Sequence, residues 1–423
     1  MPHSRTLQPG RSTTISTAVV MVMGVLVAAP VGALGAPERH QRAAGDVEMS
    51  PQRGTPVRTA TVPLGQAGAP GQQAGSTPQR FDTSRFTMVA FTWKGIGQPE
   101  LRFRTSRAGD WSRWIQAEPL ADGPTRRSPE HRSSGRTPAS ELVWVGASSS
   151  IEVATTGAEG LEMVLIDPGR LPSDKPRRGA KAGAARTGTA QTSTAQTTTA
   201  RTTSVQTTVA NTATARTAAA TEGAPKPRIR TRARWGANES WRDGDPSYNK
   251  RLKQVHVHHT ASTNDYKKRD VPALIRGMYS YHTRTLGWSD IGYNFLVDRF
   301  GRAWVGRAGG PRRLVRGAHT LGFNHASTGV SVIGNFETAQ PNVKVIRMLA
   351  RIAAWKLDRH GRNAKGKVRV RSKGSARFPA GTRVRLPIID GHRDTGHTAC
   401  PGENVYNKLG QIRRRAQNRI DRF

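Results

Sequence analysis

Val255-His256-Val257-His258-His259-Thr260 decides the fold of the C-terminal half. Valines at 255 and 257 alternate with imidazoles at 256 and 258, the period-two pattern of a strand. Parity puts His256, His258 and Thr260 on one face and His259 on the other, so the cluster can offer one or two ligands to a common site. Downstream, Asp270 is placed to cap a helix whose apolar face carries Leu274, Met278, Tyr281 and His282. Tyr293-Asn294-Phe295-Leu296-Val297 reads as a second strand that turns at Asp298-Arg299-Phe300-Gly301 and returns through Ala303-Trp304-Val305. Gly329-Val330-Ser331-Val332-Ile333-Gly334 is a further strand. Two helices follow, one with Ile346, Leu349, Ala353 and Leu357 on its apolar face and one with Val405, Leu409, Ile412 and Ala416. Strands interleaved with helices predict an α/β domain over residues 227–423, with helices on a central sheet.

Working upstream, residues 171–226 are nearly all Thr, Ala, Gln, Arg, Gly and Ser, a low-complexity composition that cannot bury a core and reads as a linker. Residues 80–170 carry short apolar runs separated by turn residues: 86–93, 101–104, 142–145, 151–153 and 161–166. That spacing predicts a small, all-β, sandwich-like domain. Trp111 and Trp114 in it belong either to its core or to a surface that stacks on sugar rings. Residues 37–79, rich in Pro, Gly, Gln and Arg, read as a disordered spacer. At the N-terminus, Arg5 and Arg11 precede an apolar run over residues 15–31, and Ala33-Leu34-Gly35-Ala36 supplies small residues for cleavage. This is the pattern of an export signal over residues 1–36, broken by Ser16, Thr17 and Pro30 where a membrane anchor would be continuous. The expected location is therefore outside the cell, with no stable membrane insertion.

The 423 residues hold 66 Lys and Arg against 29 Asp and Glu, a formal charge of +37. Such charge favours polyanions in general, and anionic wall polymers fit an exported chain. No helix-turn-helix or comparable motif points to specific nucleic acid.

An exported chain of this size has the opportunity for disulfides, yet Cys400 is its one cysteine. The thiol lies eight residues beyond His392, in the run Gly391-His392-Arg393-Asp394 to Thr398-Ala399-Cys400-Pro401-Gly402. A loop of small residues closed by proline can fold both side chains onto one ion. Two imidazoles and one thiolate would leave a fourth tetrahedral position for water, as in catalytic rather than structural zinc sites. Such a centre suits attack on an amide. The spacing alone leaves open a buried thiol with unrelated histidines.

Six blocks together resemble the peptidoglycan recognition protein and type-2 amidase family: Arg234-Trp235-Gly236-Ala237, Val257-His258-His259-Thr260-Ala261, Asp290-Ile291-Gly292-Tyr293-Asn294-Phe295, Gly317-Ala318-His319, and the His392 and Cys400 motifs. The resemblance implies a mixed sheet flanked by helices and a zinc-dependent N-acetylmuramoyl-L-alanine amidase acting on peptidoglycan muropeptides. It implies Zn2+ on His258, His392 and Cys400, with His259 turned away and His256 behind the ligands or in the groove. Tyr293 matches an active-site tyrosine that stabilises an oxyanion, and Thr398 a weaker polar stabiliser. His319 and Asn324 match substrate-groove positions. No carboxylate general base stands out. Two features depart from the family: a disulfide common near the first helix cannot form here, and Gly309-Gly310-Pro311-Arg312-Arg313 does not match the motif that sets stem-peptide preference. Non-catalytic relatives that only bind peptidoglycan typically replace the cysteine, and Cys400 is present. A basic, polyanion-binding surface protein is the remaining alternative. A monomer is expected.

Overall fold

The structure is a computed structural model and describes residues 46–64, 78–126, 128–134, 137–156, 158–174 and 223–423. The export signal, and nearly all of the expected linker over residues 171–226, lie outside the described residues.

The first half is built from β1 (Ser50–Pro51), β2 (Arg58–Pro63), β3 (Gln79–Thr92), β4 (Leu101–Arg107), β5 (Asp110–Trp111), β6 (Ile115–Gln116), a short helix α1 (Pro129–Ser134), β7 (Val143–Thr155) and β8 (Glu162–Asp167). The strands pair antiparallel in the order β1-β2-β8-β3-β7-β4-β5, with β6 also on β4. This meets the all-β expectation. One boundary is corrected: residues 46–64, assigned from sequence to a disordered spacer, supply β1 and β2. Their apolar residues Met49, Val57 and Leu64 are buried, which a Pro- and Gly-rich composition had masked.

The central strands are apolar on both faces. In β3, Val89 and Phe91 point into one core with Phe81, Phe86 and Phe103, while Met88 and Ala90 point the other way. In β8, Met163 and Leu165 join the first core, and Val164 and Ile166 the second. A sheet covered on both sides shows consecutive apolar residues instead of clean alternation, which accounts for the runs Met88-Val89-Ala90-Phe91 and Met163-Val164-Leu165-Ile166. Trp111 and Trp114 belong to neither core. They are half-buried under guanidinium groups, with Arg104 5.1 and 5.0 Å from their ring centroids.

The second half runs through β9 (Ile229–Arg230), β10 (Gln254–His259), α2 (Val271–Ser280), β11 (Phe295–Val297), β12 (Ala303–Val305), β13 (Ser327–Val332), α3 (Val343–Asp358), β14 (Lys367–Arg371), β15 (Arg383–Pro387), β16 (Ile389–Gly391), α4 (Glu403–Tyr406) and α5 (Leu409–Ile420). Its main sheet has the order β16-β10-β13-β11-β12-β9, with β14 and β15 forming a separate antiparallel pair. Pairing is parallel except between β11 and β12, the hairpin read from the sequence. The predicted apolar faces of α3 and of α4 and α5 are buried together on one side of this sheet.

Helix α2 covers the other side and departs from its expected one-sided pattern, since every residue from Val271 to Ser280 is buried. The reason is the first half of the chain. Met88, Ala90, Trp144, Val164 and Ile166 share a core with Val271, Leu274, Ile275 and Met278. Gly277 permits the approach, because a Cβ there would run into the Met88 sulfur. Arg276 is tolerated in the contact because both its terminal nitrogens pair with Asp174, at 2.9 and 2.7 Å.

Candidate metal centre

Strand β10 carries two histidines to the edge of the sheet face. His258 is fully buried, and the 3-10 turn His392–Asp394 after β16 brings His392 beside it, with ring centroids 4.8 Å apart. The loop that follows returns Cys400, whose Sγ lies 3.7 Å from His258 Nδ1. One donor atom from each of His258, His392 and Cys400 falls within 4.8 Å of the others. His259 faces away, with Nδ1 accepting the Phe336 N–H at 3.2 Å, as strand parity requires. Its backbone N–H instead donates to the Cys400 sulfur at 3.4 Å.

Neighbouring groups orient this cluster. Thr320 Oγ1 lies 3.2 Å from His258 Nε2, leaving Nδ1 to face the thiol. Burial, and then the neighbouring imidazoles, hold His258 well below its ordinary pKa, and burial with the His256 charge brings His392 down to about 3. Both are therefore neutral imidazoles with a free lone pair. Burial, and then the Asp122 charge, push the Cys400 thiol well up. A cation set among these groups would relieve that cost.

One further group was not found from the sequence. Asp122, in the loop between β6 and α1, reaches across from the first half of the chain. Its Oδ1 is 3.3 Å from His392 Nδ1, and its Oδ2 is 3.8 Å from His258 Nδ1 and accepts the Tyr293 hydroxyl at 2.8 Å. Burial pushes its carboxyl well above the usual range, with the Tyr293 hydrogen bond opposing. The local sequence Ala121-Asp122-Gly123-Pro124 signals only a turn.

The other expected site residues are placed as follows. Tyr293 packs beside His258, with centroids 5.4 Å apart. Thr398 Oγ1 accepts the Cys400 N–H at 3.1 Å, and with His392 and Cys400 it lines a cavity of about 350 Å3. His256 does not face a groove: it is fully buried, with Nδ1 2.5 Å from Asp390 Oδ1 on the adjacent strand. His319 and Asn324 are also fully buried. Asn324 Oδ1 accepts the N–H groups of His319 and Thr320, and its Nδ2 donates to Gly123 O at 3.0 Å. Of the expected groove residues, Asn324 thus lies beneath the chain's own upstream segment.

The donor set suits zinc, since two neutral imidazoles and a thiolate form a borderline-soft, three-ligand site. Donors of a tetrahedral zinc site stand about 3.3–3.6 Å apart for bonds of about 2.0–2.3 Å. The 3.7 Å between Cys400 and His258 is close to this.

Two family profiles match the chain: N-acetylmuramoyl-L-alanine amidase over residues 248–403, and Rv3811 N-terminal galactose-binding domain-like over residues 47–182. Peptidoglycan-recognition protein SC2 of Drosophila simulans is 31% identical over 181 residues, 43% of this chain and 84% of the relative. An N-acetylmuramoyl-L-alanine amidase of Homo sapiens is 32% identical over 187 residues, 43% of this chain and 28% of that one. Among solved structures, the ectodomain complex of recognition proteins LCa and LCx with tracheal cytotoxin aligns at a TM-score of 0.35 with 26% identity, over 44% of this chain and 96% of the other. On the identity and coverage of these relatives, the C-terminal half carrying the histidines and cysteine places this chain in the peptidoglycan recognition protein and type-2 amidase family.

Proposed function

We propose that this chain is an exported, zinc-dependent N-acetylmuramoyl-L-alanine amidase that hydrolyses the amide between the glycan and the stem peptide of bacterial peptidoglycan. The observation that carries the reading is the buried convergence of His258, His392 and Cys400. These three would hold the ion. When bound, zinc supplies Lewis-acid polarisation of a carbonyl and acidifies water.

The protein's own groups supply the rest. Thr320 fixes the His258 ring, and the His259 N–H stabilises the Cys400 sulfur. Burial, and then the Asp122 charge, raise the Tyr293 pKa, so the hydroxyl stays a donor. Released from Asp122, to which it donates at 2.8 Å in this structure, that hydroxyl would stabilise the oxyanion that develops at the scissile carbonyl. Thr398, on the cavity wall, is placed as a second and weaker polar contact. The reading is tested by digesting purified peptidoglycan with zinc-loaded protein and with Cys400→Ala, following free stem peptides by mass. The first should release them and the second should not; equal release would remove the zinc reading.

A further inference from the structure

The carboxylate of Asp122 flanks the three donors, just outside the set of His258, His392 and Cys400 whose donor atoms all lie within 4.8 Å of one another. Its Oδ1 lies 3.3 Å from His392 Nδ1 and its Oδ2 3.8 Å from His258 Nδ1, so a small shift of the side chain brings one oxygen to the spacing of ligands on a tetrahedral ion. Although Oδ1 is buried and within reach of His392, it accepts no hydrogen bond from any described residue. The side chain is 3% exposed.

The segment that carries Asp122 is anchored on its C-terminal side. Gly123 O and Thr125 Oγ1 take the two contacts of Asn324 Nδ2, at 3.0 and 3.3 Å. Further on, Glu130 pairs with Arg307 at 2.6 and 3.0 Å and accepts the Ser289 N–H at 3.1 Å. The same stretch walls four separate cavities: Thr125 and Ser128 line two, Glu118 and Leu120 a third, and Asp122 and Gly123 a fourth. The cavity lined by Glu118 and Leu120 also borders His392 and Cys400, so this stretch covers the approach to the cluster.

We propose that Asp122 moves onto the metal as its fourth protein ligand when the ion is bound, and that the described residues 118–126 and 128–131 hold the enzyme latent by closing the centre until they are displaced. This rests on the zinc amidase reading. A site with four protein ligands is closed in the structural manner, whereas removal of one opens the position that catalysis needs. Displacement would free Asn324 and the depression for a glycan-peptide strand and return the Tyr293 hydroxyl to the site.

The test uses the full chain, loaded with zinc or with cobalt as a spectroscopic substitute, and its Asp122→Ala variant. The expected result is opposed changes: zinc affinity falls at least ~10-fold and the cobalt visible spectrum shifts, while peptide release from purified peptidoglycan rises at least ~10-fold. Unchanged zinc affinity and an unchanged cobalt spectrum overturn the ligand assignment, whatever the activity. Lower release at retained affinity also overturns it and makes Asp122 a proton-transferring group instead. A spectrum that shifts while no protein releases peptide sinks the amidase reading, and latency with it, and keeps the fourth ligand. Glu130→Gln loosens the same segment without touching the metal residues and should raise release in the same direction. If it does so while Asp122→Ala proves insoluble, latency is still supported; if it leaves release unchanged, latency fails.

Discussion

Tyr293 shows how far one side chain's role depends on a group from elsewhere in the chain. Its hydroxyl is committed to Asp122 at 2.8 Å, and the ring is held against His258. Replacing it by Phe keeps the packing and removes only the donor. In an Asp122→Ala background, Tyr293→Phe should retain zinc and lose about 10²-fold or more in peptide release, the scale for one oxyanion donor. Steady-state rates with zinc content measured in parallel check this, and an unchanged rate would take Tyr293 out of the mechanism. His392 and Cys400 were legible in the sequence as candidate donors because so few residue types bind zinc and the chain has one cysteine, whereas the choice of His258 among the neighbouring histidines came from the family resemblance. Asp122 was not legible, because an aspartate before glycine is an ordinary turn signal. Only tertiary folding brings it to the histidines.

At the scale of elements, α2 and its C-terminal extension are the instructive case. The spacing of Leu274, Met278, Tyr281 and His282 located the helix but described one face of an element buried all round. What hid the second face was its small and charged membership: Gly277 and Arg276 do not look apolar in a sequence, and they are accommodated by Met88 and Asp174. The chain winds on through a wide turn, Tyr281–Thr285, where His282 Nδ1 accepts the Gly292 N–H at 3.2 Å and the ring stacks on Trp288 at 4.4 Å. Burial, and then the Arg307 charge, push His282 down to about 3. The unfolded chain therefore takes up a proton near pH 6.5 that the folded one refuses. The stability this gives is complete above that pH and is lost as pH falls towards about 3. From pH 7 to pH 5 the group should cost about 2 kcal/mol. Guanidinium unfolding at both pH values should show a smaller difference for His282→Gln than for the parent; equal differences would mean that His282 is protonated in the fold.

For the molecule as a whole, the sequence foretold an all-β region followed by an α/β region, and the pairing of strands agrees. It did not foretell that the two share a core, because each apolar run was read against its own region alone. The clue was present in Met88-Val89-Ala90-Phe91 and Met163-Val164-Leu165-Ile166, which alternate on neither face. The contact between the regions also contains a buried ion pair, Arg276 with Asp174, each side chain 3% exposed. Asp174→Ala would strand the guanidinium and should cost about 3–5 kcal/mol in urea unfolding. A loss below about 1 kcal/mol would show that water reaches Arg276 in solution.

The two-faced sheet finally bears on how such a chain can be handled and how it can change over generations. Cut between the halves, each piece would present to water a surface that includes Met88, Trp144 and Ile166 on one side and Leu274, Ile275 and Met278 on the other. Exposed apolar patches of this kind drive self-association. The C-terminal half produced alone would therefore precipitate whatever its chemistry. Shuffling the two halves among relatives would likewise require exchanging both sides of that seam together.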